Sequence, residues 1–95
     1  MENIEVKEQV IKIILKLFDG YGIEPESVAN VDLISDLGMD SIQFISLVVE
    51  IEQYFHITIP DEKLSMENFR TVEAIVNIIS QELIVGGSAH EIKNE

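Results

Sequence analysis

The chain has 95 residues, no cysteine and 46% apolar residues, and its 18 acidic against 6 basic side chains give a formal net charge of −12. This composition predicts one small folded domain, and it excludes disulfides, thiolate metal sites and a cysteine nucleophile. So few lysines and arginines exclude binding to the phosphate backbone of nucleic acids, whereas the surplus of acids favours basic protein partners attracted by long-range charge.

The N-terminal part of the chain predicts a first helix over residues 3–18, because apolar side chains recur there at i, i+3 and i+4. These side chains are Val6, Val10, Ile13, Ile14 and Leu17. The glycines of DGYG, residues 19–22, end the helix. The start of the sequence lacks the apolar h-region of a signal peptide, and no segment approaches the ~20 apolar residues of a membrane span. We therefore expect a cytoplasmic protein with no membrane span.

Residues 23–40 predict a long connection, and a connection of this length in a compact domain usually carries function. Apolar side chains distributed along it should hold it against the helices. They are Ile23, Val28, Val31, Leu33, Ile34 and Leu37.

The second helix is predicted from Ser41 to about Phe55, with Asp40 as its N-cap and Gln43 as the capping-box partner. Its core-facing stripe consists of Leu47, Ile51 and Phe55, with Phe44 and Val48 beside it. A second apolar stripe, on a different side, consists of Ile42, Ile45 and Val49. Burial of both stripes and exposure of the second remain alternatives. The small size of the chain favours exposure, as a contact surface with Ser41 at its edge.

The C-terminal half predicts two further helices. Residues 56–60, HITIP, predict an extended connector, since no second strand is available to pair with them. A short third helix is predicted at residues 61–66, with acids in its first turn as the helix dipole prefers. Thr71 is predicted to cap a last helix over residues 72–83.

These elements predict an all-α fold, a four-helix bundle with three longer helices, one short helix and a long loop between the first two. The folded domain is predicted to span residues 1–85. Two glycines and a run of polar residues then predict a flexible tail at residues 86–95.

A hydrolytic enzyme built on Ser41 is disfavoured, because neither histidine can be placed beside it. His56 is fifteen residues further along the chain, which places it roughly 20 Å away at the ~1.5 Å rise per residue of a helix. His90 lies in the predicted tail. No nucleophile elbow or phosphate-binding glycine loop is present, and the acids of residues 61–67 lack the spacing of a calcium loop. We therefore predict no catalytic and no metal-binding residues.

The segment DLGMDSIQFISLVVEIEQYFHITIPDE, residues 36–62, resembles the acyl carrier proteins and related phosphopantetheine-attachment domains. The shared features are a leucine–glycine pair, an Asp-Ser-aliphatic sequence at the head of an apolar helix, and IPDE at the matching distance behind it. The resemblance covers residues 4–84. It implies that Ser41 accepts a 4′-phosphopantetheine arm from coenzyme A, attached by a separate phosphopantetheinyl transferase. The thiol of the arm would carry acyl or aminoacyl groups as thioesters.

The resemblance also implies roles for the residues around the serine. The transferase would contact Asp40, Met39 and Ile42. An adenylating or other acyl-loading enzyme and the downstream acyl-transfer enzymes would contact the second helix at Ile45, Val49, Glu50 and Glu52. The protein would catalyse nothing itself, and it would be a monomer that meets its partners transiently.

Two departures from the carriers of fatty-acid synthesis narrow the expected pathway. The acids common at the second and fifth positions after the serine are replaced here by Gln43 and Ser46. The stretch from Pro60 to Thr71 is longer than in those carriers, and in this it is similar to stand-alone carriers loaded by adenylating enzymes, including D-alanyl carrier proteins. We therefore expect a discrete carrier in a specialised pathway. The alternatives are a general fatty-acid carrier and, in another class, a helical interaction module in which Ser41 only caps a helix.

Overall fold

A computed structural model describes the backbone of residues 3–93 and the side chains of residues 4–84. Its three α-helices are α1 (Asn3–Leu17), α2 (Ser41–Phe55) and α3 (Val72–Lys93). Helix α1 packs against both other helices. The described residues contain no strand, so the predicted all-α bundle with a long loop between its first two helices is confirmed.

One hydrophobic core lies between the helices, because each contributes apolar side chains at the spacing of one helix face. The fully buried residues include Val6, Val10, Ile14, Leu47, Ile51, Ile75 and Ile79. The predicted inward stripes of α1 and α2 are thereby confirmed, with Leu17 partly rather than fully buried. Phe18, which directly follows α1, is also buried and was not part of the predicted stripe.

The connection between α1 and α2 lies against this core, as predicted. Its 3₁₀ helix at Pro25–Asn30 buries Val28, and Leu33 further along is fully buried as well. Gly38 then turns the chain with φ at 67°, a conformation that glycine adopts without steric cost. This turn directs the chain into the N-terminus of α2.

The predicted short third helix is present as two 3₁₀ segments, at Asp61–Lys63 and Met66–Phe69, rather than as one α-helical turn. Ser65 separates them because its backbone is extended, with φ at −138° and ψ at 150°. The predicted cap of the last helix is confirmed, since Thr71 Oγ1 accepts the N–H of Ala74 at 3.2 Å.

Helix α3 continues to Lys93, beyond the end predicted at residue 83. Glycine inside a helix costs about 1 kcal/mol relative to alanine, which weakens a helix without forbidding it. Gly86 and Gly87 therefore do not end α3, and the flexibility predicted for residues 86–95 stays a prediction. None of the described helices combines the length and the apolar character needed to cross a membrane.

Candidate functional site

The N-terminus of α2 places Ser41 on the surface as the first residue of the helix. Asp40 precedes it as the N-cap, and its Oδ1 accepts the backbone N–H of Gln43 at 2.8 Å. Gln43 Oε1 accepts the N–H of Asp40 in return, at 3.1 Å. The predicted capping box is confirmed, so the cap is made by the aspartate and the hydroxyl of Ser41 is not needed for it.

The backbone around Ser41 suits a phosphate on its hydroxyl. The capping box uses the N–H groups of Asp40 and Gln43, and the N–H of Phe44 donates to the carbonyl of Asp40 at 2.9 Å. The N–H groups of Ser41 and Ile42 have no partner within the helix, as is general for a helix start. A negatively charged phosphodiester on Ser41 would lie beside them at the positive end of the helix dipole. The site therefore fits a phosphate-linked group.

Gln43 also connects this cap to the turn that follows α1. Its Nε2 donates to the hydroxyl of Tyr21 at 3.1 Å. The ring of Tyr21 contacts the edge of the buried Phe18, with ring centroids 5.2 Å apart. Tyr21 was not among the predicted site residues, because the contact joins positions that no local pattern relates.

Hydrogen bonds of Arg70 hold the long connection a few residues before the site, and we call them the Arg70 clamp. Arg70, the only arginine of the chain, donates from Nε to Asp32 Oδ2 at 2.8 Å and from NH2 to Ser35 Oγ at 3.1 Å. Its NH1 donates to Glu67 Oε1 at 2.7 Å, and its carbonyl accepts the N–H of Leu33 at 2.7 Å. This arginine therefore joins the segment before α3 to the connection that leads into α2.

The charges of this clamp stabilise each other. The N–H of Ser35 and the guanidinium of Arg70 both donate to Asp32, and together they lower the pKa of this carboxyl below its usual value. The carboxylates of Asp32 and Glu67 raise the pKa of Arg70 in turn. Near neutral pH, Asp32 is therefore negatively charged and Arg70 positively charged.

Beyond the cap, the second apolar stripe of α2 lies on the surface, which settles the two alternatives in favour of exposure. We call Ile42, Ile45 and Val49 the outer stripe; they are 76%, 59% and 43% exposed. We call Leu47, Ile51 and Phe55 the inner stripe, and all three are buried.

The two predicted acidic contacts of α2 have partners within the chain. Glu50 Oε2 lies 2.9 Å from Lys16 Nζ of α1. Glu52 Oε2 accepts the backbone N–H of Ile59 at 2.9 Å, which ties the extended connector of residues 56–60 to α2. Glu52 therefore has a structural role, whereas Glu50 forms a surface ion pair that contributes little to stability.

Met39 is placed differently from the prediction. We expected Met39 on a surface that the transferase contacts. The residue is only 4% exposed and belongs to the core. Its N–H donates to the carbonyl of Leu33 at 2.9 Å, which joins the end of the long connection to a fully buried part of it. Met39 is therefore corrected from a contact residue to a core residue that supports the turn before Ser41.

His56 forms the C-cap of α2, at the opposite end from Ser41. His90 lies outside the residues whose side chains the structure describes. Among the described residues, no group of three or more His, Cys, Asp and Glu side chains could hold a metal ion.

Comparison with known proteins identifies relatives of this chain. Residues 10–79 match the family model described as "Phosphopantetheine attachment site", a range that contains Ser41. The chain is 35% identical over 78 residues to an acyl carrier protein of Zymomonas mobilis, covering 81% of this chain and 94% of the relative. It is 25% identical over 81 residues to aminoacyl carrier protein 1 of Bradyrhizobium diazoefficiens, covering 85% of this chain and 89% of the relative.

A solved structure of an acyl carrier protein from Enterococcus faecalis is also similar to this chain. The two superpose with a TM-score of 0.69 at 36% sequence identity. The match covers 86% of this chain and 99% of that structure. It therefore includes almost the whole of that carrier fold.

Proposed function

This chain belongs to the family of acyl and aminoacyl carrier proteins, and we propose that it is a discrete carrier that holds intermediates as thioesters on an arm attached to Ser41. The cofactor of this family's domain is a covalently attached 4′-phosphopantetheine. The observation that carries the assignment of Ser41 is its position, exposed at a helix N-terminus whose cap Asp40 provides. Because the Ser41 hydroxyl is not needed for the cap, it is available for modification.

The residues at the site account for how the arm would be held. Ser41 Oγ would supply the oxygen of the new phosphoester bond, while the pyrophosphate P–O bond of coenzyme A breaks and adenosine 3′,5′-bisphosphate leaves. The proton of the hydroxyl passes to the transferase, since His56 lies at the other end of α2. The unbonded N–H groups of Ser41 and Ile42 at the start of the helix would be available to the added phosphate. When bound, the arm supplies the thiol that this cysteine-free chain lacks.

Carrier proteins meet a phosphopantetheinyl transferase and acyl-handling enzymes. For this chain we propose that the transferase contacts Asp40 and Ile42, and that the loading and downstream enzymes contact Ile45 and Val49. These four residues are exposed and lie between the N-cap and the middle of α2. In this proposal the protein is a cytoplasmic monomer that does no chemistry of its own.

We further propose a specialised pathway, with an adenylating enzyme as the loading partner. Gln43 supports this, because it stands where carriers of fatty-acid synthesis commonly have an acid, and its amide is engaged in the capping box and the bond to Tyr21 without adding charge to α2. The alternative is a general fatty-acid carrier. The acyl carrier proteins at 35% and 36% identity favour it, whereas the aminoacyl carrier at 25% favours the first candidate.

Intact-mass measurement tests the assignment of Ser41. The chain is incubated with coenzyme A and a broad-specificity phosphopantetheinyl transferase, and we expect the mass of one arm to be added. Ser41→Ala should abolish the gain, whereas Ser27→Ala, which changes another exposed serine, should retain it. No gain with a transferase that modifies another carrier in parallel would refute the carrier function and favour a helical interaction module.

A further inference from the structure

We propose that Tyr21 is a positioning residue for attachment of the arm, because its hydroxyl holds the Gln43 side chain in the orientation that fixes the backbone directly before Ser41. The inference rests on the proposed function and adds to the site a residue from outside α2. The action of Tyr21 on the serine passes through Gln43 and Asp40.

Three hydrogen bonds hold Asp40, the residue that immediately precedes the attachment serine. Its Oδ1 accepts the N–H of Gln43 at 2.8 Å, and its carbonyl accepts the N–H of Phe44 at 2.9 Å. Its own N–H donates to Gln43 Oε1 at 3.1 Å. The first two bonds use backbone donors of the helix, whereas the third depends on where a long side chain lies. The amide of Gln43 therefore decides whether the N–H of Asp40 is held.

The Gln43 side chain reaches Asp40 through Oε1 and Tyr21 through Nε2, each at 3.1 Å. Ordering a glutamine side chain costs rotational entropy, and one hydrogen bond in water offsets only part of that cost. The N–H of Asp40 can only donate, so it needs Oε1, and Nε2 is then left for the tyrosine oxygen, which accepts. Loss of the tyrosine hydroxyl would free one end of the amide and weaken its hold on Asp40.

Tyr21 can hold Gln43 because its own position is set by the core. Its ring contacts the buried Phe18 with centroids 5.2 Å apart, and its N–H donates to the carbonyl of Phe18 at 3.1 Å. Gly20 and Gly22, on either side of it, have φ at 94° and 74°, a conformation that glycine adopts without steric cost. The turn after α1 therefore presents the hydroxyl to the first turn of α2 from a base that is packed on the core.

The rate of arm transfer depends on where the serine hydroxyl lies relative to the phosphorus of coenzyme A, and small displacements lower that rate. Ser41 directly follows Asp40, so freedom at residue 40 becomes freedom in the direction of the serine side chain. A loss of positioning acts after the transferase has bound, so it lowers the rate of the bound complex and leaves affinity unchanged.

The test follows arm transfer from coenzyme A by a broad-specificity phosphopantetheinyl transferase under single-turnover conditions, at increasing transferase concentration. Intact mass reports the maximal rate constant and the half-saturating concentration for the native chain, Tyr21→Phe and Tyr54→Phe. Tyr54 is the matched control, because it is the chain's other tyrosine, is 48% exposed against 49% for Tyr21, and also contacts a buried phenylalanine.

Tyr21→Phe keeps the ring and removes only the hydroxyl. We expect it to lower the maximal rate constant about fivefold, the size of one hydrogen bond, and to leave the half-saturating concentration unchanged. Tyr54→Phe should change neither quantity. A Tyr21→Phe variant that accepts the arm at the native rate overturns the inference, as does one that changes only the half-saturating concentration.

A double-mutant cycle with Gln43→Met separates positioning through Gln43 from direct contact of Tyr21 with the transferase. Methionine keeps the length and helix preference of glutamine but cannot form the two amide bonds. Gln43→Met should be slowed at least as much as Tyr21→Phe, and adding Tyr21→Phe to it should have no further effect. A fivefold loss that persists in the Gln43→Met background would show that the hydroxyl acts on the transferase itself, and the inference would be wrong.

Amide NMR of the unmodified chain gives a reading that does not depend on arm transfer. The N–H resonances of Asp40 and Ser41 should shift in Tyr21→Phe and stay in place in Tyr54→Phe, and unshifted resonances in Tyr21→Phe would contradict the inference. The same spectra show that each variant is folded. If the native chain accepts no arm, the proposed function is wrong and the inference is wrong with it. If the arm is added equally fast to native chain and Tyr21→Phe, only the inference is wrong.

Discussion

The inner and outer stripes of α2 are built from the same kinds of residue and differ only in what they contact. The inner stripe is buried where α2 packs against α1 and the segment Met66–Phe69. The outer stripe has no cover within the described part of the chain. One helix thus separates two tasks by position around its axis: one side stabilises the fold and the other is available for recognition. Changes to the two sides should therefore have separable effects.

The largest expected effect comes from exchanging isoleucine for alanine on the inner stripe, and the same exchange on the outer stripe is the comparison. Ile51 is fully buried, and Ile51→Ala should reduce the free energy of unfolding by about 2–5 kcal/mol through lost burial and the cavity left behind. Ile45 is 59% exposed, so Ile45→Ala should change it by less than about 0.5 kcal/mol. Urea unfolding followed by circular dichroism measures both. Equal losses would show that the outer stripe belongs to the core.

Local sequence patterns were sufficient for α2 and its surroundings. The start of the helix and its capping box depend on residues within one turn of each other, and the two stripes depend on periodicity alone. The same reasoning held for the long connection, where apolar spacing predicted Val28 and Leu33 as anchors. The site at Ser41 could be described from the sequence because it is a local structure.

Contacts between distant segments could not be predicted in this way. The bond from Gln43 to Tyr21 and the clamp of Arg70 on Asp32 each join segments that meet only in the folded chain. Met39 illustrates the same limit, since its burial depends on how the long connection turns inward at Leu33. The net charge likewise does not tell which carboxylates are paired within the chain, as Glu50 is with Lys16.

The N-cap of α2 is the second place to sharpen the comparison, because it supports both sides of the helix. Asp40→Ala removes the acceptor of the Gln43 N–H and should cost about 1 kcal/mol of unfolding free energy. Asp40→Asn keeps an acceptor oxygen and should restore most of that stability. Thermal unfolding of the two variants measures this difference.

The same pair of variants separates capping from recognition. If Asp40 only caps, Asp40→Asn should accept the arm at the native rate. If the transferase also binds the charged carboxylate of Asp40, the Asp40→Asn variant should be stable but modified slowly. A stable Asp40→Ala variant would show that the capping box contributes little to α2.

The smallest effect is expected at the other end of α2, where His56 has the left-handed conformation with φ at 57° and ψ at 46°. This conformation is unfavourable for a residue with a Cβ, so His56→Gly should raise the free energy of unfolding by about 0.5 kcal/mol, the steric gain being partly offset by glycine's greater freedom in the unfolded chain. His56→Ala keeps the Cβ and should not be stabilising, which makes it the matched control. Arm transfer to Ser41 should be the same in both variants, because this end of the helix is remote from the serine and the outer stripe begins at Ile42. A glycine variant that is more stable but modified more slowly would show that the recognition surface extends along the whole of α2, down to its C-cap.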